Sequence, residues 1–196
     1  VKHSKLAEQF KAQVKCAKDA GIYDSLFLAF GSLLGYVRCG GPIGHDNDMD
    51  VGILSDQITK DQEEKYLNLL NDRGLYRYRR KVEKYPHNGR LFWTSLRMHP
   101  KEYGWKCCNW FMWNHKGYTF HAKGVGTFIK GIPSDCFKLG GEGEFLGTKI
   151  RIPEKVGKCL DWWYPDWNTP RKGGNSDCIR MNVKDWANKK TWNIKL

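Results

Sequence analysis

Three aspartates stand at alternate positions, Asp46, Asp48 and Asp50, and the apolar run Val51 to Leu54 follows them directly. On an extended chain, side chains two residues apart leave the same face, so the three carboxylates share one side of a strand. Carboxylates held that close repel one another, and the arrangement implies a cation between them. The triplet therefore sets a strand at Met49 to Leu54 and an expected metal site, with Mg²⁺ or Mn²⁺ as the ion, at its start.

The residues just before the triplet supply a second half to this site. Leu26 to Phe30 is an apolar run that reads as a buried strand. Gly31-Ser32 turns the chain, and Ser32 to Arg38 fits one or two helical turns with Ser32 as the N-cap. Cys39 to Gly44 contains three glycines and a proline and reads as a loop. Glycine lets backbone come close to a phosphate, and the free N–H groups of a helix start can hold its oxygens together with Ser32. Arg38 can reach the same anion with a planar fork. Mg²⁺ prefers carboxylates and phosphate oxygens together, so the two halves suit metal-assisted attack on a nucleoside diphosphate or triphosphate.

Other metal and phosphate motifs do not fit. The dinucleotide fingerprint needs G-x-G-x-x-G, which the Gly31 to Gly35 stretch does not give. A P-loop needs G-K-[ST] after its second glycine, where Tyr36 and Val37 stand. An EF-hand loop starting at Asp46 would need Gly at its sixth position and Glu at its twelfth; Val51 and Gln57 are there.

Around this centre the chain reads as helices at both ends with strands between. Leu6, Phe10, Val14 and Ala17 recur at helical steps through residues 3–20, and Gly21 stops that helix. Thr59 to Asp72 forms a second helix ended by Gly74. Strands are expected at Leu75 to Val82, Arg90 to Met98, Lys106 to Trp113 and Tyr118 to Ala122, the last two joined by a turn at Asn114 to Gly117. Phe145 to Ile152 reads as one further strand, and Pro153-Glu154 as the first turn of a helix reaching Tyr164. Pro165 to Leu196 is polar and reads as irregular. The fold class is α+β, a mixed sheet flanked by helices.

Lysine and arginine number 33 against 21 acidic residues, a formal charge of +12 that favours anionic partners. The densest basic patch, Arg77 to Lys81, alternates with aromatics and motivates nucleic acid as a less favoured partner. No apolar stretch reaches the length of a membrane span. The seven cysteines form no C-x-x-C pair, so zinc-ribbon and thioredoxin chemistry is not indicated. The first residue is Val rather than Met, which leaves room for a preceding segment.

The central motif resembles a known family. Gly31 to Arg38 (GSLLGYVR), then Pro42-Ile43, then Asp46 to Val51 (DNDMDV), is similar to the signature of the LicD/fukutin family, where a G-[TS]-L-L-G-x-x-R block precedes an acidic D-x-D-x-D block without a gap. Ile132-Pro133, Pro153-Glu154 and Tyr164 to Pro170 (YPDWNTP) resemble later parts of the family. The resemblance covers roughly residues 20–172 and is weakest between Leu54 and Lys106. It implies a nucleotidyltransferase-like domain over residues 1–172, with 173–196 as a tail.

The resemblance also implies a function. Family members transfer a phospho-alcohol (phosphocholine, ribitol phosphate or glycerol phosphate) from a CDP-linked donor to a glycan hydroxyl. By resemblance Asp48 and Asp50 are the metal pair, Asp46 the flanking acid, and Gly31, Ser32 and Arg38 the phosphate cradle. His45, Tyr164 and Trp167 are candidate pocket residues. The family's third carboxylate falls, on the best correspondence, at Asn109, and an amide is neither a base nor a good metal ligand. Three readings stay open: another group such as His99, Glu102 or His121 takes over; substrate or water supplies the base; or the domain binds without catalysing. An NTP-using nucleotidyltransferase is a further alternative. The compartment follows the host, Golgi lumen for an animal-type member and cytoplasm for a bacterial one.

Overall fold

The computed structural model describes residues 2–43, 48–75, 82–84, 91–93, 96–98, 106–115, 118–120, 122–123, 127–129, 132–134, 138–164, 166–169 and 180–182. Among the described residues there are four α-helices: α1 (Lys2–Asp19), α2 (Phe30–Cys39), α3 (Lys60–Asp72) and α4 (Val156–Trp163). The strands are β1 (Leu26–Leu28), β2 (Asp48–Leu54), β3 (Val82–Lys84), β4 (Leu91–Trp93), β5 (Leu96–Met98), β6 (Lys106–His115), β7 (Tyr118–Phe120), β8 (Ala122–Lys123), β9 (Thr127–Ile129), β10 (Ile132–Pro133), β11 (Leu139–Phe145), β12 (Thr148–Pro153) and β13 (Arg180–Asn182).

The main sheet runs β10-β7-β6-β2-β1-β12-β11, with β5 also paired to β6. It is mixed: β2 is antiparallel to β1 and parallel to β6, and β12 is parallel to β1. With helices packed on such a sheet, the class is α+β, as the residue pattern predicts. The acidic strand β2 is thus interior, bonded on both edges.

Local chemistry explains the helix ends. Leu6, Phe10, Val14 and Ala17 of α1 are all buried. The helix stops where Gly21 takes φ 73, with its N–H donating to the Lys18 carbonyl and the Ile22 N–H to the Ala17 carbonyl. In α3, Thr59 and Gln62 exchange side-chain and backbone bonds in a capping box. Its far end repeats the α1 solution: Gly74 at φ 65, with the Leu75 N–H donating to the Leu70 carbonyl.

Helices α1 and α3 cover one face of the sheet. Leu28 pairs with Val51, and Val51 pairs with Asn109, so these three residues share that face. The core holds Phe10, Phe27, Leu33, Val51, Ile53, Tyr66, Phe145, Ile150, Leu160 and Trp163. The rings of Phe10 and Phe145 meet edge to face, with centroids 5.4 Å apart.

Several boundaries depart from the residue pattern. Phe145 to Ile152 is not one strand. Leu146 and Gly147 take φ 52 and 70 and turn β11 back on β12. Two left-handed residues make the tight turn that matches strand twist, and Leu is an uncommon choice there. Pro153 ends β12 instead of opening a helix, and α4 starts at Val156. Arg90 to Met98 holds two strands in different sheets, since β4 pairs with β3 and β5 with β6. Within the polar tail, Arg180–Asn182 forms a strand that pairs with β9. Residues 76–81 lie outside the described set. Among the described residues no helix is long and apolar enough to cross a membrane.

Candidate active site

The site is a joint between the end of β1, the start of α2 and the start of β2. The β1–β2 ladder stops at the pair Leu28–Val51. One residue later the Ala29 N–H still donates to the Asp50 carbonyl, at 3.2 Å. The chain then enters α2 with Ala29 as its N-cap and no side-chain cap. The helix therefore begins two residues before Ser32, which lies inside its first turn and is not the cap the sequence suggests.

Entering a helix so abruptly needs an unusual backbone. Phe30, the first residue of α2, sits at φ 42, a region that side chains with a Cβ seldom occupy. Its ring lies 4.3 Å, centroid to centroid, from that of Trp163 in α4, and both are buried. This packing offsets the backbone cost.

The bend turns the first turn of α2 onto Asp50. The Gly31 N–H donates to Asp50 Oδ2 at 3.2 Å. The Asp50 N–H donates to Ser32 Oγ at 2.8 Å. Asp50 is 8 % exposed and Ser32 3 %. The positive end of a ten-residue helix faces this carboxylate and favours its charge. Asp50 thus presents a carboxylate at the start of β2, the donor type that a divalent cation takes. Asp48 stands two residues earlier in β2. Asp46 and His45 lie outside the described residues, as do His99, Glu102 and His121. Among the described residues no three His, Cys, Asp or Glu side chains converge into a metal cluster.

Arg38 is placed differently from Gly31 and Ser32. Seven residues of helix separate it from Gly31, about 10 Å along the axis. Its Nη2 donates to the Thr169 carbonyl at 3.1 Å, which ties the end of α2 to the segment after α4. Its Nε is buried without a hydrogen-bond partner among the described residues. Tyr164 is buried, at 8 % exposure, and the Trp167 indole N–H donates to Asp161 Oδ1 at 2.8 Å. Tyr164 is thus part of the core, and Trp167 packs against it half-buried.

Asn109 is not a lapsed acid of this site. Its register partner in β2 is Val51, whereas Asp50 pairs with Cys108 and Asp48 with Lys106. Asn109 therefore lies on the face opposite Asp50. It is fully buried there, and its Oδ1 accepts bonds from the Gln13 amide and, at 3.1 Å, from the Tyr66 hydroxyl. It joins β6 to α1 and α3. The Cys107-Cys108 run gave no signal of this, because the phase of β6 against β2 is set by pairing and not by composition.

Gly35 escaped the site reading although it shapes the site. A Cβ there would lie 2.5 Å from the Gly41 carbonyl oxygen and 3.0 Å from the Ile43 nitrogen. The missing side chain lets the loop leading to the acidic triplet fold flat on α2. Its place in G-S-L-L-G was the available signal.

Residues 24–155 match the model of the LicD/FKTN/FKRP nucleotidyltransferase domain. The chain belongs to this family. No curated protein matches the chain as a relative. The LicD span takes in the whole Asp50 joint, from β1 through α2 to β2, and both strands that flank β2. Membership makes the chain one of a family of transferases, with a phosphotransferase-type role in glycan and cell-surface modification.

Proposed function

We propose that the protein transfers a phospho-alcohol (phosphocholine, ribitol phosphate or glycerol phosphate) from a CDP-linked donor to a hydroxyl of a glycan. The observation that carries this reading is the Asp50 joint: a carboxylate on an interior strand, fixed by Gly31 and Ser32, at the motif shared with the LicD family.

In this proposal Asp48 and Asp50, with Asp46 beside them, hold Mg²⁺ or Mn²⁺. The ion supplies charge neutralisation at the donor's diphosphate. Ser32 keeps a hydroxyl proton to donate after accepting the Asp50 N–H, and the unmet Nε of Arg38 suits a further anion. The acceptor oxygen forms a bond to the phosphorus bearing the alcohol, the bridging P–O bond breaks, and CMP leaves. The register partners of the two aspartates in β6 are lysine and cysteine, so that strand offers no carboxylate opposite them. The acceptor's proton passes to one of the three aspartates or to water. The binding-only alternative rested on Asn109, and its place on the helix-covered face withdraws that support. The +12 charge suits anionic donors and acceptors.

The test is a panel of CDP-choline, CDP-ribitol and CDP-glycerol with Mg²⁺ and glycan acceptors. One donor is expected to raise the melting temperature in a metal-dependent way and to release CMP when acceptor is added. Asp50→Asn is expected to abolish release. Absence of stabilisation and of CMP with every donor would sink the proposal.

A further inference from the structure

Asp50 is the first residue of β2 beyond the β1 ladder: its carbonyl still accepts from the Ala29 N–H, but its own N–H donates to a side chain. The ladder pairs Leu26 with Ile53, Phe27 with Gly52 and Leu28 with Val51, and then β1 ends. The next acceptor for the strand would be a backbone carbonyl, but the chain has already turned into α2. Ser32 Oγ takes its place and receives the Asp50 N–H at 2.8 Å. One residue before it, the Gly31 N–H holds the carboxylate of the same aspartate. The left-handed Phe30 is the bend that brings both groups round.

We propose that Ser32 is a positioning residue for the Asp50 carboxylate, extending the strand by one residue so that the cation meets a fixed oxygen pair. This rests on the reading above, in which Asp50 binds a divalent cation. A serine whose only task was to hold donor phosphate would leave cation affinity untouched when removed. A serine that completes the strand under Asp50 acts on the cation first. Both partners are buried, so removal of the oxygen leaves an Asp50 N–H without water to replace it.

The experiment is a titration with Mn²⁺ alone, reading free Mn²⁺ by electron paramagnetic resonance, on the wild type, Ser32→Ala and Ser32→Thr. Alanine should weaken Mn²⁺ binding about tenfold or more, the ratio for one buried donor left unmet. Threonine keeps the oxygen and should stay within about threefold of wild type. Circular-dichroism melts check folding; if the alanine variant does not fold, Ser32→Cys, of similar size and a far weaker acceptor, must show the same loss. Wild-type Mn²⁺ affinity in the alanine variant, equal loss in the threonine variant, or no Mn²⁺ binding by the wild type would each overturn the assignment. Failure of all donors to yield CMP would remove the transferase reading alone, because the Mn²⁺ comparison judges Ser32 separately.

Discussion

Asn109 shows how much one residue's phase decides. An acid at this position would not complete the metal site, because it would face α1 and α3. Asn109→Asp would place a carboxylate in a fully buried setting where the Asn109 Nδ2 already lacks a hydrogen-bond partner among the described residues. The expected cost is about 1–3 kcal/mol in urea unfolding at pH 7, with no gain in CMP release. Burial raises the folded pKa of such an acid, so the variant should lose more stability at pH 7 than at pH 4. The sequence shows an amide among aromatics, but a shift of one residue in pairing changes the face it occupies. That register is invisible without the neighbouring strand. The Asp46 to Asp50 alternation, by contrast, was legible because it needs no partner. A second residue-scale effect lies at the far edge of the sheet, where the Tyr23 hydroxyl donates to Glu142 Oε1 at 2.7 Å. Burial first, and then this bond, push the Tyr23 pKa up from 10.0 to about 12. The same bond holds the Glu142 carboxyl below its ordinary 4.5. A lowered acid stabilises the fold above its unfolded value and loses that contribution as pH falls. A raised tyrosine stabilises it below its unfolded value and loses that contribution as pH rises toward the folded one. Tyr23→Phe should therefore melt below wild type by a constant margin between about pH 5 and 10. The margin should shrink outside that window, which melts from pH 3 to 11 would reveal.

At the scale of elements, α2 is the part on which the site depends, because its ends make different bonds. Its first turn holds Asp50 through Gly31 and Ser32, and its last turn is tied to Thr169 by Arg38. Between them, Gly35 lets the loop of Gly41 to Ile43 lie against the helix. Alanine is a better helix former than glycine by about 1 kcal/mol. At Gly35 the sign should reverse, since the new Cβ would meet backbone at 2.5 Å and the loop would have to move. Gly35→Ala is expected to cost about 1–3 kcal/mol and to weaken Mn²⁺ binding through the displaced loop. Gly143→Ala is the matched control. Its Cβ would meet the Tyr36 hydroxyl at 2.7 Å, the tip of a side chain that can swing aside. Its loss in urea unfolding should be smaller, with Mn²⁺ affinity unchanged. Equal losses at the two glycines would show that the loop contact is not what Gly35 protects. Elements with a strong period and a glycine stop, such as α1 and α3, could be drawn from the sequence almost to the residue. The β11–β12 hairpin could not, because Leu146 at φ 52 carries no turn signal. The start of α2 was misplaced for the same reason: Phe30 at φ 42 is a turn residue in disguise.

For the whole molecule, the family span and the folding unit differ. The LicD match covers residues 24–155, which excludes α1 and all of α4. Yet α1 buries Leu6, Phe10, Val14, Cys16 and Ala17, and α4 buries Cys159, Leu160 and Trp163. Each large side chain among these contributes about 1.5–3 kcal/mol when fully buried. A domain's entire margin is about 5–15 kcal/mol, so losing either helix would consume most of it. The two helices also act on the site by different routes. Helix α1 carries Gln13, which bonds Asn109 on the strand beside β2, and α4 carries Trp163, against which the strained Phe30 packs. A piece cut to residues 24–155 should therefore show no cooperative urea transition and no Mn²⁺ binding. Residues 2–169 should retain both, since they keep the α1 and α4 packing and the Arg38–Thr169 bond. Cooperative unfolding of the shorter piece would mean that the strands alone hold Asp50, and that the flanking helices are additions to a site already complete.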